Sequence, residues 1–356
     1  MSDKKVKFAV VGVRSIGNAY VVRAINNIPE AELITICDIN EEILEKRRVE
    51  YGLEKVYTDF YEMIKDGGFD CVILGTPDQV HMEHAIAALE AGYHVICEKP
   101  MAMNTEEALR MKEAAERNGK FLQIGFVRRF GNDCKVVKDF IDAGNFGDIY
   151  YSKATYLRRN GNPGGWFGDK SRSGGGPLID LGVHMIDLSI WLMGNPKPVA
   201  VSGCTFSKFA DNDAESDSEH SAFGEKNAAG TFDVEDLAMG FIRFDNGACL
   251  QIEFSWASNI EEEKRFVELR GTKAGFTWND DGTCGIWTED EKGKLVDLAP
   301  DCGEMGNGHA RALEHFCRIV LDGAEKDYIP EQGVNMIKIL DAIYESAKTG
   351  REVALV

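Results

Sequence analysis

The feature that most constrains the fold is a regular alternation of strand-like and helix-like segments over the first 125 residues. Short apolar runs at Lys7–Val11, Leu33–Cys37, Cys71–Leu74, His94–Cys97 and Phe121–Ile124 read as buried strands. Between them lie helical stretches near Gly17–Asn27, Glu41–Tyr51, Phe60–Lys65, His81–Ala91 and Thr105–Asn118. The last opens on a capping pattern, Asn104-Thr105 followed by Glu106 and Glu107. Strands joined by helical crossovers must run parallel, so the pattern predicts a doubly wound α/β sheet. Such sheets bind ligands at the carboxyl ends of their strands, and the residues that follow each strand therefore carry the functional expectation.

The first strand runs into VVGVRSIGNA, residues 10–19, which is nearly the G-x-G-x-x-G dinucleotide fingerprint. Gly12 and Gly17 hold the outer positions, Ser15 and Ile16 lead into the helix, and Arg14 stands where the middle glycine belongs. A side chain there would crowd a pyrophosphate, so the Arg14 stem must point away, with its guanidinium free for a ribose edge or a phosphate oxygen. Asp38 ends the second strand, 21 residues after Gly17, where a carboxylate binds both hydroxyls of an adenosine ribose and repels a 2′-phosphate. Its other reading is an N-cap for the helix at Glu41. Thr76-Pro77 and Glu98-Lys99-Pro100 end later strands, and His81 opens the helix after the first of these. Together these residues predict an NAD site, with NADP the alternative that Arg14 leaves open. Lys99 is either an ordinary surface lysine or a group aimed at the ligand-binding edge, held extended by the proline that follows it.

Beyond about residue 128 the texture changes to strand-rich runs with glycine turns, such as GDIYYSKATYL, PVAVSGCTF and KRFVELRGTKAGFTW. MGFIRF and ACLQIEF flank Asp245-Asn246-Gly247, a hairpin signal because Asn-Gly accepts positive φ. The expected second domain is α+β, with helices packed on a large and mostly antiparallel sheet. A chain of 356 residues suits two domains, here 1–128 for the nucleotide and 129–356 for substrate and oligomerisation. Six acidic residues without Lys or Arg between Phe209 and Glu225 read as a solvated insertion rather than a metal site, and no metal is expected.

The net charge of −19 repels phosphate backbones and argues against nucleic acid as a partner. No apolar run approaches the roughly 18 residues that a membrane span needs, and the short charged start lacks a signal-peptide core. Nine cysteines scattered without a C-x-x-C pair read as reduced thiols. A cytoplasmic protein is expected.

The segment SRSGGGPLIDLGVHMIDLSIWLMG sets three glycines and Pro177 at a helix start. From Pro177 to Met193 nearly every residue is apolar except Asp180, His184 and Asp187, which fall on one narrow stripe. The stripe either faces solvent or serves chemistry, since burying it without purpose is costly. Dehydrogenating an alcohol needs a hydride acceptor, which a nicotinamide supplies, and a base for the proton. His184 fits the base, Asp180 one turn away can orient it, and Lys99 can stabilise the developing alkoxide. These groups would meet where the two domains face each other.

Taken together, the glycine loop, TPDQVHMEHAIAALEAGYHVICEKP, GFVRRF and Asp180-x-x-x-His184 closely resemble the glucose–fructose oxidoreductase, inositol dehydrogenase and rhizopine-catabolism family, Gfo/Idh/MocA. The likeness runs from Val6 to IYESAKTGREV near the C-terminus. It implies an N-terminal Rossmann domain, a C-terminal α/β domain whose open sheet mediates dimers or tetramers, and catalysis by Lys99, Asp180 and His184. It also implies a Lys99–Pro100 bond that is often cis, and sugars, inositols or related polyols as substrates. In YLRRNGNPGGWF, residues Arg158, Arg159, Asn160 and Trp166 suit a pyranose, by aromatic stacking and by hydrogen bonds to vicinal hydroxyls. Arg129 in GFVRRF and His309 in GNGHARALEHF are further candidates for substrate contact, although a histidine at a helix start is also ordinary. The expected activity is hydride transfer between a sugar or glycoside hydroxyl position and the nicotinamide, the YLRRNGNPGGWF loop being similar to that of members acting on glucosides, several of which oxidise the 3-hydroxyl. Alternatives are an inositol, polyol or sugar-nucleotide dehydrogenase, a glycoside hydrolase working through transient oxidation with NAD, and a sensor that binds the cofactor without chemistry.

Overall fold

A computed structural model describes residues 4–209, 231–279, 283–302 and 306–355. The acidic segment between Phe209 and Glu225 lies almost wholly outside these. Contacts divide the chain into two compact units, Met1–Phe130 with Asn307–Val334, and Gly131–Gly306 with Asn335–Val356.

In the first unit β1 (Val6–Val11), β2 (Ala31–Cys37), β3 (Cys71–Leu74), β4 (His94–Cys97) and β5 (Leu122–Ile124) form one parallel sheet of order β2-β1-β3-β4-β5. An isolated parallel bridge between Cys37 and Tyr57 sits beside β2, where a dinucleotide-binding sheet carries a further outer strand. The strands are continuous apolar runs because both faces are covered, and β3 and the end of β4 are fully buried. Helices α1 (Ile16–Arg23), α2 (Glu41–Tyr51), α3 (Phe60–Asp66), α4 (His81–Glu90) and α5 (Thr105–Asn118) make the crossovers. The Asn104 side chain caps α5 by accepting the Glu107 N–H, and Gly119 ends it in the left-handed region.

Helix α9 (Gly308–Asp322) lies within the range predicted for the second domain, but it packs on this first sheet instead. Phe316 is fully buried, its ring stacked on Phe121 at 5.3 Å and tilted against Phe8 at 6.2 Å. Its apolar face has no signal in sequence that distinguishes one sheet from the other.

The second unit begins with α6 (Asn132–Asp142) and is built on a nine-stranded sheet. Its order β13-β12-β11-β10-β6-β9-β8-β7-β14 comprises β6 (Ile149–Leu157), β7 (Pro198–Phe206), β8 (Leu237–Phe244), β9 (Cys249–Ser255), β10 (Lys264–Gly271), β11 (Ala274–Asn279), β12 (Cys284–Glu289), β13 (Leu295–Leu298) and β14 (Val353–Ala354). All neighbours are antiparallel except β6 and β9. The Asp245-Asn246-Gly247 turn joins β8 to β9, with Gly247 at φ 83°. Alternate residues such as Ala154, Ile252 and Val267 line the buried face, against which α8 (Val183–Leu192) packs at β6 and β10. Helix α7 (Lys170–Ser173) precedes it, and α10 (Pro330–Thr349) ends in this unit. All nine cysteines are free thiols, yet Cys284 and Cys302 are brought to 3.1 Å between their sulfurs, a pairing that a spacing of 18 residues does not announce.

Candidate functional site

At the β1 end the glycines are fixed by contact. A Cβ on Gly12, which sits at φ 80°, would meet the Gly75 carbonyl oxygen at 2.6 Å, and a Cβ on Gly17 would meet the Gly12 oxygen at 2.1 Å. The loop is thus a close approach of three backbones, with Gly12 accepting the turn and Gly17 letting α1 lie against the strand. Arg14 and Ser15 are exposed, the Ser15 side chain does not cap α1, and the first turn of that helix carries no acidic residue. Its leading N–H groups are available to an anion, as a pyrophosphate requires.

Asp38 is buried at the end of β2 and does not cap α2; Asn40 does, accepting the Ile43 N–H at 2.8 Å. Asp38 accepts the Val13 N–H and the Asn40 N–H, each at 2.9 Å. It therefore ties the glycine loop to the second strand end, with lone pairs left for a ribose. At β3 the Thr76 hydroxyl oxygen is buried with no hydrogen-bond partner among the described residues, and Pro77 follows it in an extended conformation. The residues present fit a dinucleotide: a cradle only glycine can form, a bare helix start, a carboxylate at the ribose position and an orphan hydroxyl.

Two expected cofactor contacts are turned inward. His81 is wholly buried, with Nδ1 2.8 Å from the Pro100 oxygen and Nε2 2.9 Å from the Thr76 oxygen, so it braces the loops after β3 and β4 against each other. Burial outweighs those carbonyls and pushes its pKa down. Glu98 is buried too, accepting the Tyr20 hydroxyl at 2.9 Å and the Lys99 N–H at 3.2 Å. A Cβ on Gly125 would lie 2.7 Å from that carboxylate. Burial, with Glu98 beside it, raises the Tyr20 pKa well above its ordinary value. Lys99 is half-buried at the β4 end, and the Lys99–Pro100 bond is cis.

His309 also belongs to this unit, its ring edge-on to Tyr20 at 5.1 Å, and burial lowers its pKa. Arg129, expected at the substrate, is buried instead. Its guanidinium donates to the Asp327 carbonyl at 3.0 Å and to Gln332 Oε1 at 2.7 Å, over the rings of Phe126 and Tyr328.

In the second unit the segment after Pro177 is a π-helical turn, Leu178–Gly182, which passes directly into α8. The spacing alone predicts an uninterrupted α-helix; π turns joined to α-helices frequently occur at functional sites. From Gly175 to Ser189 every residue is buried except Asp180 and His184. The third member of the stripe, Asp187, is 3% exposed and lies inside. Asp180 accepts the Trp256 Nε1–H at 3.0 Å. Trp256, at the end of β9, is fully buried, with Phe167 edge-on at 6.5 Å and Trp166 stacked on Phe167 at 4.2 Å. Trp166 and Asn160 are half-buried and Arg159 is exposed. Arg158 is not available: it is buried, donating to the Gly161 carbonyl at 2.8 Å and the Tyr156 hydroxyl at 3.2 Å. Trp256 is marked in the sequence only as a polar-tipped aromatic closing a buried strand.

A sequence profile described as "Oxidoreductase family, NAD-binding Rossmann fold" matches residues 6–126, and its partner, "Oxidoreductase family, C-terminal alpha/beta domain", matches residues 138–355. The chain belongs to the Gfo/Idh/MocA oxidoreductases. The first unit is accordingly an NAD-binding Rossmann domain. This family member is 34% identical to the D-glucoside 3-dehydrogenase of Escherichia coli (strain K12), over 100% of the chain and 99% of that protein. It is 29% identical to the scyllo-inositol 2-dehydrogenase (NAD(+)) of Bacillus subtilis (strain 168), over 90% of the chain and 88% of that protein. A levoglucosan dehydrogenase solved with NADH and L-sorbose shares the fold, with TM-score 0.85, 24% identity and 99% coverage of both chains.

Proposed function

We propose that this oxidoreductase moves hydride between NAD and a hydroxyl-bearing ring carbon of a sugar or glycoside, with the 3-hydroxyl as the reacting position. The observation that carries the reading is the pair Asp180 and His184, the two positions left partly open on an otherwise buried helical wall. The full-length likeness to a D-glucoside 3-dehydrogenase supports the substrate class. NAD, when bound, supplies the hydride acceptor. The carbinol C–H leaves as hydride, the O–H proton goes to His184, and the product is a keto-sugar. Asp180 orients the His184 ring and supports its charged form, and Lys99 hydrogen-bonds the same oxygen as negative charge builds on it. Half-buried Trp166 and Asn160 suit the apolar face and the hydroxyls of a pyranose. Asp38 selects NAD, since its charge opposes a 2′-phosphate.

The test is NADH formation by purified protein over a panel of glucosides, free sugars and inositols, with NMR of the product to locate the keto group. A 3-keto glycoside is expected. Turnover of inositols alone would overturn the substrate, and release of free sugar without net NADH would favour a hydrolase. His184→Ala and Lys99→Met should each lower turnover by on the order of 10² or more. Retained turnover in both would remove these roles. The exposed Met239 and Trp287 on the nine-stranded sheet support self-association, which light scattering should show as a dimer or tetramer. The acidic charge and the need for a renewed NAD pool support a cytoplasmic protein acting on small molecules, with neither nucleic acid nor membrane as partner.

A further inference from the structure

Glu235 lies outside every sequence motif named above, yet it is 6% exposed and its carboxylate is surrounded by donors. Oε2 accepts the Gly176 N–H at 3.0 Å, and Oε1 accepts the Leu178 N–H at 3.2 Å and the Tyr344 hydroxyl at 3.0 Å. Pro177, between those two amides, has no N–H to offer. One buried carboxylate thus satisfies the free amides at the start of the π turn, a task normally given to a residue adjacent in sequence. The glycine run is what lets it in: a Cβ on Gly175 would stand 1.9 Å from the Tyr344 hydroxyl, and one on Gly176 would stand 2.0 Å from the Glu235 carbonyl.

The Gly176 carbonyl in turn accepts the backbone N–H of Asp180 at 3.0 Å. Glu235 therefore reaches the Asp180 backbone through two hydrogen bonds. The next residue reaches the Asp180 side chain. The Asp236 carbonyl accepts the Trp256 N–H at 3.0 Å, and Trp256 Nε1–H is the donor to Asp180 Oδ2. Backbone and carboxylate of Asp180 are held from two directions by one dipeptide some 55 residues away in sequence.

We infer that Glu235-Asp236, completed by Tyr344, is the positioning element for Asp180. The inference rests on the catalytic reading of Asp180. Neither Glu235 nor Tyr344 is a catalytic residue; each acts through the turn it holds. A carboxylate suits the place because three donors converge on it, and an amide of the same shape would set its NH₂ against one of them.

The experiment is a double-mutant cycle with Glu235→Gln and Asp180→Asn, with Tyr344→Phe as a milder third variant. Glu235→Gln is expected to lower kcat by about 10- to 100-fold, the cost of a misplaced catalytic group, with KM for the sugar and Kd for NAD by calorimetry within about twofold of the parent. In the Asp180→Asn background the same substitution should cost less than about threefold, because the residue it positions is already gone. Tyr344→Phe, which leaves both amide bonds, should show a smaller loss in kcat with the same non-additivity; it carries the test if Glu235→Gln does not fold. Unchanged kcat in Glu235→Gln and Tyr344→Phe would overturn the inference, and so would losses that multiply in full with Asp180→Asn. Parental turnover by Asp180→Asn itself would instead overturn the catalytic reading of the site.

Discussion

The ends of the parallel strands and the start of the helix bearing Asp180 both hold polar groups in place, but with opposite materials. At β1, β3 and β4 the support is backbone, with glycines in mutual contact and a histidine spanning two carbonyls. At the π turn the support is a buried carboxylate, a tyrosine hydroxyl and an indole, gathered from β9, α10 and the segment before β8. The first arrangement suits an anionic ligand bound by amides and dipoles. The second suits a carboxylate held in one orientation, as the role proposed for Asp180 requires.

Glycine substitutions break this comparison most sharply. Gly17→Ala drives a Cβ into the Gly12 carbonyl, backbone against backbone, so NAD affinity should fall at least about tenfold and Tm should drop by several degrees. Gly176→Ala drives a Cβ into the Glu235 carbonyl, and there kcat should collapse while NAD still binds. Calorimetry with NAD on both variants, beside steady-state turnover, separates the two. Loss of NAD binding in Gly176→Ala would show that the two regions do not act independently.

Smaller effects come from single hydrogen bonds. Trp256→Phe keeps an aromatic ring between Phe167 and Phe232 but removes the donor to Asp180. A hydrogen bond to a charged group contributes about 1.5–3 kcal/mol, so kcat should fall by roughly tenfold to a hundredfold with little change in KM. Asp38→Ser, at the other region, should weaken NAD rather than slow chemistry, and should narrow the preference over NADP. Equal NAD and NADP affinities in the parent protein would remove Asp38 as the selector.

The two regions also differ in how far the sequence announces them. Gly12, Gly17, Asp38 and Lys99 follow strands whose apolar runs are unmistakable, so order along the chain nearly equals order in space. Trp256 meets Asp180, and Glu235 with Tyr344 meets the turn that carries it, only once a nine-stranded sheet and α10 are assembled, and no local spacing encodes that. The inward turn of Arg129 and Arg158 was hidden for a similar reason. An arginine looks the same in sequence whether its partner is a substrate or a carbonyl such as those of Asp327 and Gly161. That helix Gly308–Asp322 packs with the parallel sheet is equally silent in the sequence, because amphipathicity states that a face is buried, not against what.

The smallest predicted effect concerns pH. Burial lowers the pKa values of His81, His84, His94 and His309 below the ordinary 6.5, and all four lie in the NAD-binding unit. His94 shows why the neutral form matters: its Nδ1 accepts the Phe121 N–H at 3.0 Å, a bond that protonation removes. A group with a depressed folded pKa takes up more protons unfolded than folded as pH falls below the unfolded value. Its stabilisation is therefore full above about 6.5 and is lost as pH falls from there toward the folded pKa. Glu235 has the opposite sign. Burial raises its pKa above 4.5, so its contribution is full below 4.5 and declines as pH rises through the folded value. Acidification from pH 7.5 to 5.5 should accordingly lower by a few degrees the temperature at which the NAD-binding unit melts. His94→Asn, whose amide oxygen can still accept the Phe121 N–H, should flatten part of that slope. Differential scanning calorimetry across this range, with hydrogen exchange to assign the melting to one unit, decides it; a Tm independent of pH would mean that these histidines are as protonated folded as unfolded.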